Sequence, residues 1–383
     1  MKIRSFKAED KNYGQSWHSN VSDHWEYDDF KKDPAWEKGW ISMDCALYNE
    51  KEDRIYLGIT CFDENGIFRA FDRKTGKFID TGYSKIAEPF DAKFHRSLVK
   101  REKDGCLYGA VALLHCSDKQ WEAPGGAIIR YDPQTGELKR LATPIPHVYI
   151  QATALDEARN ILYCQCFPPE YVISFDIETK EVKNFGLIGT GYGGMAQGEN
   201  ICLDKEGSLW GTWSLTRAWQ DSPGKDANRL FRIKAGADRI DFLDKGLPMP
   251  DGSHGFAKIE ALFDLGDGNM YASGRNGSIY RINIKTGDAA YLFTPVSDRR
   301  SRLASMKRGN DGYAYGITGR DGKCELLRFD FINTKYELLG EIVDDKGVYC
   351  WQIHDLVITN DGTIYACEND NPYRSGYLWE ITI

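Results

Sequence analysis

Lys205-Glu206-Gly207-Ser208-Leu209-Trp210-Gly211 decides the fold, because six other stretches of the chain are built the same way. Each is a tight turn rich in Asp, Asn, Glu or Gly, followed at once by a short strand with an aromatic at a fixed place. The other six end at Gly58, Gly109, Cys164, Ala272, Gly316 and Ala366. Their aromatics are Tyr56, Tyr108, Tyr163, Tyr271, Tyr315 and Tyr365, matching Trp210. The mean spacing, (365 − 56)/6 or about 51 residues, is a blade-length period. One such unit cannot bury both faces of its own sheet, so neighbouring units must pack against each other. The pattern predicts an all-β, seven-bladed β-propeller of four-stranded antiparallel blades.

A second signature keeps the same register. Phe71-Asp72, Tyr131-Asp132, Phe175-Asp176, Phe231-Arg232, Ile282-Asn283 and Phe329-Asp330 each close a strand and run into another turn, such as Thr75-Gly76 or Thr135-Gly136. Alternation around these pairs has period two, and Gly, Asn and Asp provide the positive φ of tight hairpins. The seventh repeat runs out at Ile383, one strand short. Lys2–Lys7 at the other end is the natural donor, and pairing it into the last blade would close the ring without exposed sheet edges. The expected organisation is one domain over residues 1–383, with a closing strand and aromatic arm in 1–40 and seven repeats in 41–383.

Composition narrows the function. A hydrophobic fraction of 42% supports a large β-rich core, and a net charge of −8 provides no basic face for nucleic acid. No apolar stretch reaches membrane-spanning length. Met1-Lys2-Ile3-Arg4-Ser5 leads straight into charged sequence without the apolar core of a signal peptide, so a cytoplasmic location is expected. The ten cysteines lie mostly in predicted strands among apolar neighbours, as reduced core thiols do; Cys164-Gln165-Cys166 lacks zinc-ribbon spacing. Oligomeric state is not legible.

Propellers bind ligands where their inner strands begin and their loops converge, but the fold does not say which ligand. Blade two brings His95, in Asp91-Ala-Lys-Phe-His95-Arg96, to the start of one strand and His115 to the end of the next. Blade three opens with Pro146-His147-Val148-Tyr149. Two imidazoles and a phenol at one mouth form an acid–base set, since histidine titrates near neutrality. A lone histidine at a hairpin is more often a hydrogen-bonding brace, and it is the pair that raises the functional reading. The long blade-four loop holds Arg217 between Trp213 and Trp219, a pattern suited to clamping a carboxylate while indoles cover a sugar face. An ordinary surface loop with a cation–π contact explains the same residues. Glu199, Glu260 and His354 precede inner strands and could converge on one ion. His18 and His24 fall in the aromatic N-terminal arm.

A seven-bladed propeller with His95 and His115 twenty residues apart and Tyr149 entering the next blade resembles the uronate-directed polysaccharide lyases, the ulvan lyases among them. It is similar also to the group acting on L-rhamnose-α-1,4-D-glucuronate, with the architectural likeness running from about Ser42 to Ile383. The resemblance implies β-elimination on a small uronate-containing saccharide. His95, His115 and Tyr149 would be catalytic, and Arg96, Gln165, Arg217, Trp213, Trp219, His147 and His354 would contact substrate. It implies no required cofactor, although a propeller channel can hold a structural ion, and the residues leave a metal site undetermined. One departure stands out: where these lyases carry arginine on the second strand of blade three, this chain has Gln165, which can hydrogen-bond a carboxylate but not neutralise it. Rhamnosidases of the same group imply hydrolysis on the opposite face, with His18 or His24 in that role. Two alternatives remain: a propeller that only binds sugar or serves as a scaffold, and a metal-dependent lactonase or streptogramin-lyase-like propeller, which needs residues such as Glu199, Glu260 and His354 to converge on one ion.

Overall fold

The computed structural model describes residues 1–10, 12, 40–61, 66–112, 120–167, 169–189, 200–214, 228–252, 256–274, 276–296 and 301–383. Every regular element among them is a strand, apart from one short 3-10 turn at Tyr83–Lys85. The fold is an all-β propeller of four-stranded antiparallel blades. Blade one runs Ile41–Asn49, Arg54–Cys61, Phe68–Asp72 and Lys77–Asp80, each strand pairing with the next. Four later blades repeat this order, beginning at Tyr149–Asp156, Cys202–Leu203, Ile259–Asp264 and Leu303–Arg308. Blade two is joined to blade one by the two-residue strand Lys93–Phe94, which pairs with Thr60 on one side and with Ala112 and Val111 on the other.

The last blade is built as the repeat arithmetic requires. Ile353–Ile358, Ile364–Glu368 and Tyr377–Thr382 form three strands, and Lys2–Lys7 is the fourth. The pairing is in full register from Lys2 opposite Thr382 to Lys7 opposite Tyr377. Arg4 ion-pairs with Glu380, and the Ser5 hydroxyl donates to Asp344 at 2.6 Å. Both chain ends therefore depend on one sheet.

Five of the seven repeated aromatics are explained by the turns before them. Each ring is buried, and a buried phenol or indole must find an acceptor. Tyr56 donates to Glu52, Tyr108 to Asp104, Tyr271 to Asp267 and Tyr315 to Asp311, always four residues back and at 2.6–3.0 Å. Trp210 donates to Asp204 at 2.7 Å. Asp104, Asp204, Asp267 and Asp311 accept loop amides as well as the ring donor, so turn and aromatic recur together there, whereas Tyr365 donates to Glu380 on the next strand.

The chain separates into two compact units. One comprises Met1–Ile150, Arg320–Leu326 and Leu339–Ile383, with a core that includes Tyr56, Phe71, Phe94 and Tyr365. The other comprises Gln151–Gly319 and Leu327–Leu338, whose cores centre on Phe231, Tyr280 and Phe329.

Candidate functional site

In the first unit, two inner strands break register at one residue each. Met43 pairs with Ile59 and Cys45 with Gly58, so Asp44 is the extra residue of a β-bulge. Ile353 pairs with Glu368 and Asp355 with Cys367, so His354 is the extra residue of another. A bulge bends its strand and re-aims the unpaired side chain, which is why bulges gather at functional sites. These two bulges meet. His354 Nδ1 lies 2.6 Å from the backbone oxygen of Asp44. A carbonyl can only accept, so Nδ1 carries the proton and the lone pair of the neutral imidazole is on Nε2.

The third member comes from blade two. Lys93-Phe94-His95 alternates polar and apolar residues: Phe94 goes into the core against Phe68 and Tyr83, while Lys93 and His95 turn the other way. The His95 and His354 rings meet edge to face, with centroids 4.7 Å apart at 62°. Ligand-type atoms of Asp44, His95 and His354 all lie within 4.8 Å of one another, and all three residues are buried. Lys93 Nζ stands 3.1 Å from Asp44 Oδ1, and Thr60 donates to Oδ2. Burial pushes the Asp44 carboxyl above its ordinary range; Lys93 and then His354 pull it back, and Asp370 pushes it up again. The result is a carboxylate, an ammonium and two imidazoles packed in a low-dielectric setting, where each acts on the others more strongly than in water.

The other residues singled out from sequence fall elsewhere. His115, Arg217, Trp219, Glu199, His18 and His24 lie outside the described residues. Arg96 follows His95 and is partly buried. Tyr149 is fully buried, and its phenol is pushed up to about 12 by burial, against a pull from the Gly125 backbone. Its charged neighbours are Asp91, Arg140 and Glu88, and the Asp91–Arg140 pair is closed at 2.6 Å. From His95 to Tyr149 the backbone steps sideways through Val111 and Gly126, three strand spacings or about 14 Å. The described contacts thus pair His95 with His354 rather than with Tyr149. His147, at φ 64°, donates from Nδ1 to the Ala123 carbonyl at 2.8 Å and packs edge-on to the exposed Trp121.

In the second unit, Gln165 is buried and its Oε1 has no hydrogen-bond partner. Trp213 is packed into blade four: its indole donates to the Leu243 carbonyl at 3.1 Å, and its ring meets Phe242 and Arg229. Glu260 is itself a bulge residue, with Lys258 at 3.7 Å and Arg302 at 3.5 Å.

Sequence reasoning missed Asp44 and Lys93. A signal for Asp44 was present. His354 stands 365 − 354 = 11 residues before its repeat aromatic, Glu260 stands 271 − 260 = 11 before Tyr271, and Asp44 stands 56 − 44 = 12 before Tyr56. The bulge position thus recurs in the repeat and carries an ionisable side chain in these three copies. Lys93 had no such mark, because nothing in a two-residue strand between two blades shows where its side chain will end.

No family model matches the chain, and no curated protein matches it in sequence. Structure is more informative. The blades define a β-propeller of the kind found in solved propeller lyases. Among these is virginiamycin B lyase from Staphylococcus aureus, at 14% identity and a TM-score of 0.60, matched over 89% of this chain and 95% of that one. A catalytically inactive histidine-to-alanine variant of the same enzyme, solved with quinupristin, matches at 13% identity and a TM-score of 0.61, over 90% and 95%. At such identities the likeness carries the fold alone.

Proposed function

We propose that this protein is a lyase cleaving a small uronate-containing saccharide by β-elimination, most simply at an L-rhamnosyl-glucuronate-type linkage. The carrying observation is the His354 imidazole. Its Nδ1–H is committed to the Asp44 carbonyl and its ring meets that of His95, while the Lys93 ammonium stands on the Asp44 carboxylate of the same cluster. A histidine and a cation in one cluster suit abstraction of a proton next to a carboxylate, because the cation stabilises the charge that develops on the carboxylate oxygens. The C5 proton passes to the histidine, a C4–C5 double bond forms as the C4–O bond breaks, and the departing oxygen takes a proton from an acid. In this reading Lys93 supplies the positive charge that Gln165 cannot. His115 remains the second histidine implied by the resemblance. The lyase chemistry of propellers with the same fold is consistent with the reading.

The test is an ultraviolet time course on rhamnosyl-glucuronate with product chromatography. Absorbance from an unsaturated uronate, abolished in both His354→Ala and His95→Ala, is the expected result. Free rhamnose with saturated glucuronate and no absorbance change would replace elimination by hydrolysis and move the site to His18 or His24. Binding without turnover across a panel of uronate saccharides would make the propeller a sugar-binding module.

A further inference from the structure

We propose that Asp44, His95 and His354 form a binding site for a late first-row divalent cation, with Zn2+ as the reference ion. The inference uses the same cluster as the proposed lyase but does not rest on its catalysis. Four observations converge on it.

The ligand atoms are already gathered. Three donors around a tetrahedral ion at about 2.1 Å stand about 3.4 Å apart, so atoms within 4.8 Å of one another close with small side-chain rotations. Two of the three residues are bulge residues, aimed inward by an interruption of the ladder that a plain strand does not need. The His354 Nδ1–H donates to a backbone carbonyl, the contact that fixes the tautomer of a metal-ligating histidine and leaves Nε2 as the donor atom. Finally, the Asp44 carboxylate is buried, and its Oδ1 is held by the Lys93 ammonium at 3.1 Å. A buried carboxylate needs a counter-charge, and a divalent ion can supply it in place of the ammonium.

The donor set also selects the ion. Two imidazoles and one carboxylate suit Zn2+, Co2+ or Ni2+, whereas Mg2+ and Ca2+ prefer all-oxygen shells. Lys93 is then a competitor. Its ammonium offsets the Asp44 charge without the ion, and it must give way when a divalent charge arrives. Removing it therefore tightens binding, an outcome that damage to the fold cannot imitate. The ion takes the same Nε2 lone pair that proton abstraction needs, so metal occupancy and β-elimination exclude each other.

The experiment uses the full chain, treated with chelator and titrated with CoCl2 and ZnCl2 without substrate. The expected result is one ion per chain, a visible Co2+ ligand-field band, and displacement of Co2+ by Zn2+. Asp44→Asn and His354→Gln should each weaken binding by more than the roughly 10–100-fold typical of outer-shell changes. Lys93→Met should strengthen it about tenfold or more, by removing a like charge from the site. Circular dichroism confirms that each variant is folded, and His95→Gln replaces any that is not. Absence of 1:1 binding, unchanged affinity in the ligand variants, or weaker binding in Lys93→Met would overturn the proposal. The elimination assay is read separately: binding without turnover refutes the lyase alone, and turnover unaffected by saturating Zn2+ refutes the metal site alone.

Discussion

Glu368→Gln tests the physical account of the last blade and, through it, the placement of His354. Glu368 is fully buried and takes six donors on two oxygens. Oε1 accepts from the Trp351 amide at 2.8 Å, Asn371 Nδ2 at 3.2 Å and Arg374 Nη2 at 2.7 Å. Oε2 accepts from Arg374 Nη1 at 2.8 Å, the Tyr377 amide at 2.9 Å and the Trp379 indole at 3.1 Å. Arg374 in turn lies over the Tyr377 ring at 3.6 Å. The substitution keeps shape and volume but turns one acceptor oxygen into an NH2 group facing three donors, and it strips the buried guanidinium of its counter-charge. Leaving one member of a buried pair alone costs about 3–5 kcal/mol, a large share of the roughly 5–15 kcal/mol that holds a domain folded. Urea unfolding followed by tryptophan fluorescence is the assay, with Trp351 and Trp379 at the hub as reporters. Glu368 is also the register partner of Ile353, the residue before His354. The variant should therefore weaken whatever the Asp44–His95–His354 cluster binds, even while folded. The double variant Glu368→Gln with Arg374→Met should recover at least about 1 kcal/mol, the mark of direct coupling. A loss below about 1 kcal/mol with an unchanged denaturant slope would refute the hub and the claim that it braces the His354 bulge.

Deleting Lys2–Lys7 should cost about 3 kcal/mol or more, since Ile3 and Phe6 lose burial worth about 1.5–3 kcal/mol each when complete; an unchanged urea midpoint would show that the last blade stands without its fourth strand. Gly126→Ala places a Cβ against the Val111 carbonyl and the Tyr149 and Ile150 backbones, so a loss of about 1–3 kcal/mol is expected. Gly66→Ala meets only the flexible end of Arg69 and should stay within about 0.5 kcal/mol, and equal effects at the two sites would contradict the packing. Acid should destabilise the last blade through Asp361, whose carboxyl is held below its ordinary value, against the push of burial, by hydrogen bonds from Thr359 and Arg73. Because the folded value is depressed, the stabilisation is present above the unfolded value of about 3.9 and is lost as pH falls through the folded one; urea midpoints from pH 5 to 2 should fall less steeply in Arg73→Met. Burial pushes the Cys45, Cys166 and Cys202 thiols up to about 12. The nine described cysteines are unpaired with one another in disulfides, and their modification near pH 8 should await opening of the fold; rapid labelling of more than one thiol in the native protein would contradict this burial.

The repeat itself was open to reading without coordinates. A tight turn and the buried aromatic that follows it recur in each blade, in four of them with a turn acid four residues before the ring as its acceptor, and simple counting shows that the last blade lacks a strand which Lys2–Lys7 can provide. His95 and His354 were also visible as polar residues where inner strands begin. Their meeting was not. It depends on two bulges, at Asp44 and His354, and a bulge is a register choice between paired strands that neither strand carries in its own alternation. It depends as well on Lys93–Phe94 pairing on both sides, which sets the ammonium against Asp44. Tyr149 stands for the opposite case: sequence order puts it one blade beyond His95, yet about three strand spacings of lateral distance and the Asp91–Arg140 pair give its phenol other neighbours. By itself the sequence determined the blade period, the strands and the way the chain ends share a sheet, because those follow from contacts a few residues apart and from counting. Only the tertiary structure decided which ionisable side chains share a site, because that depends on bulges and lateral pairings between residues up to 354 − 44 = 310 positions apart.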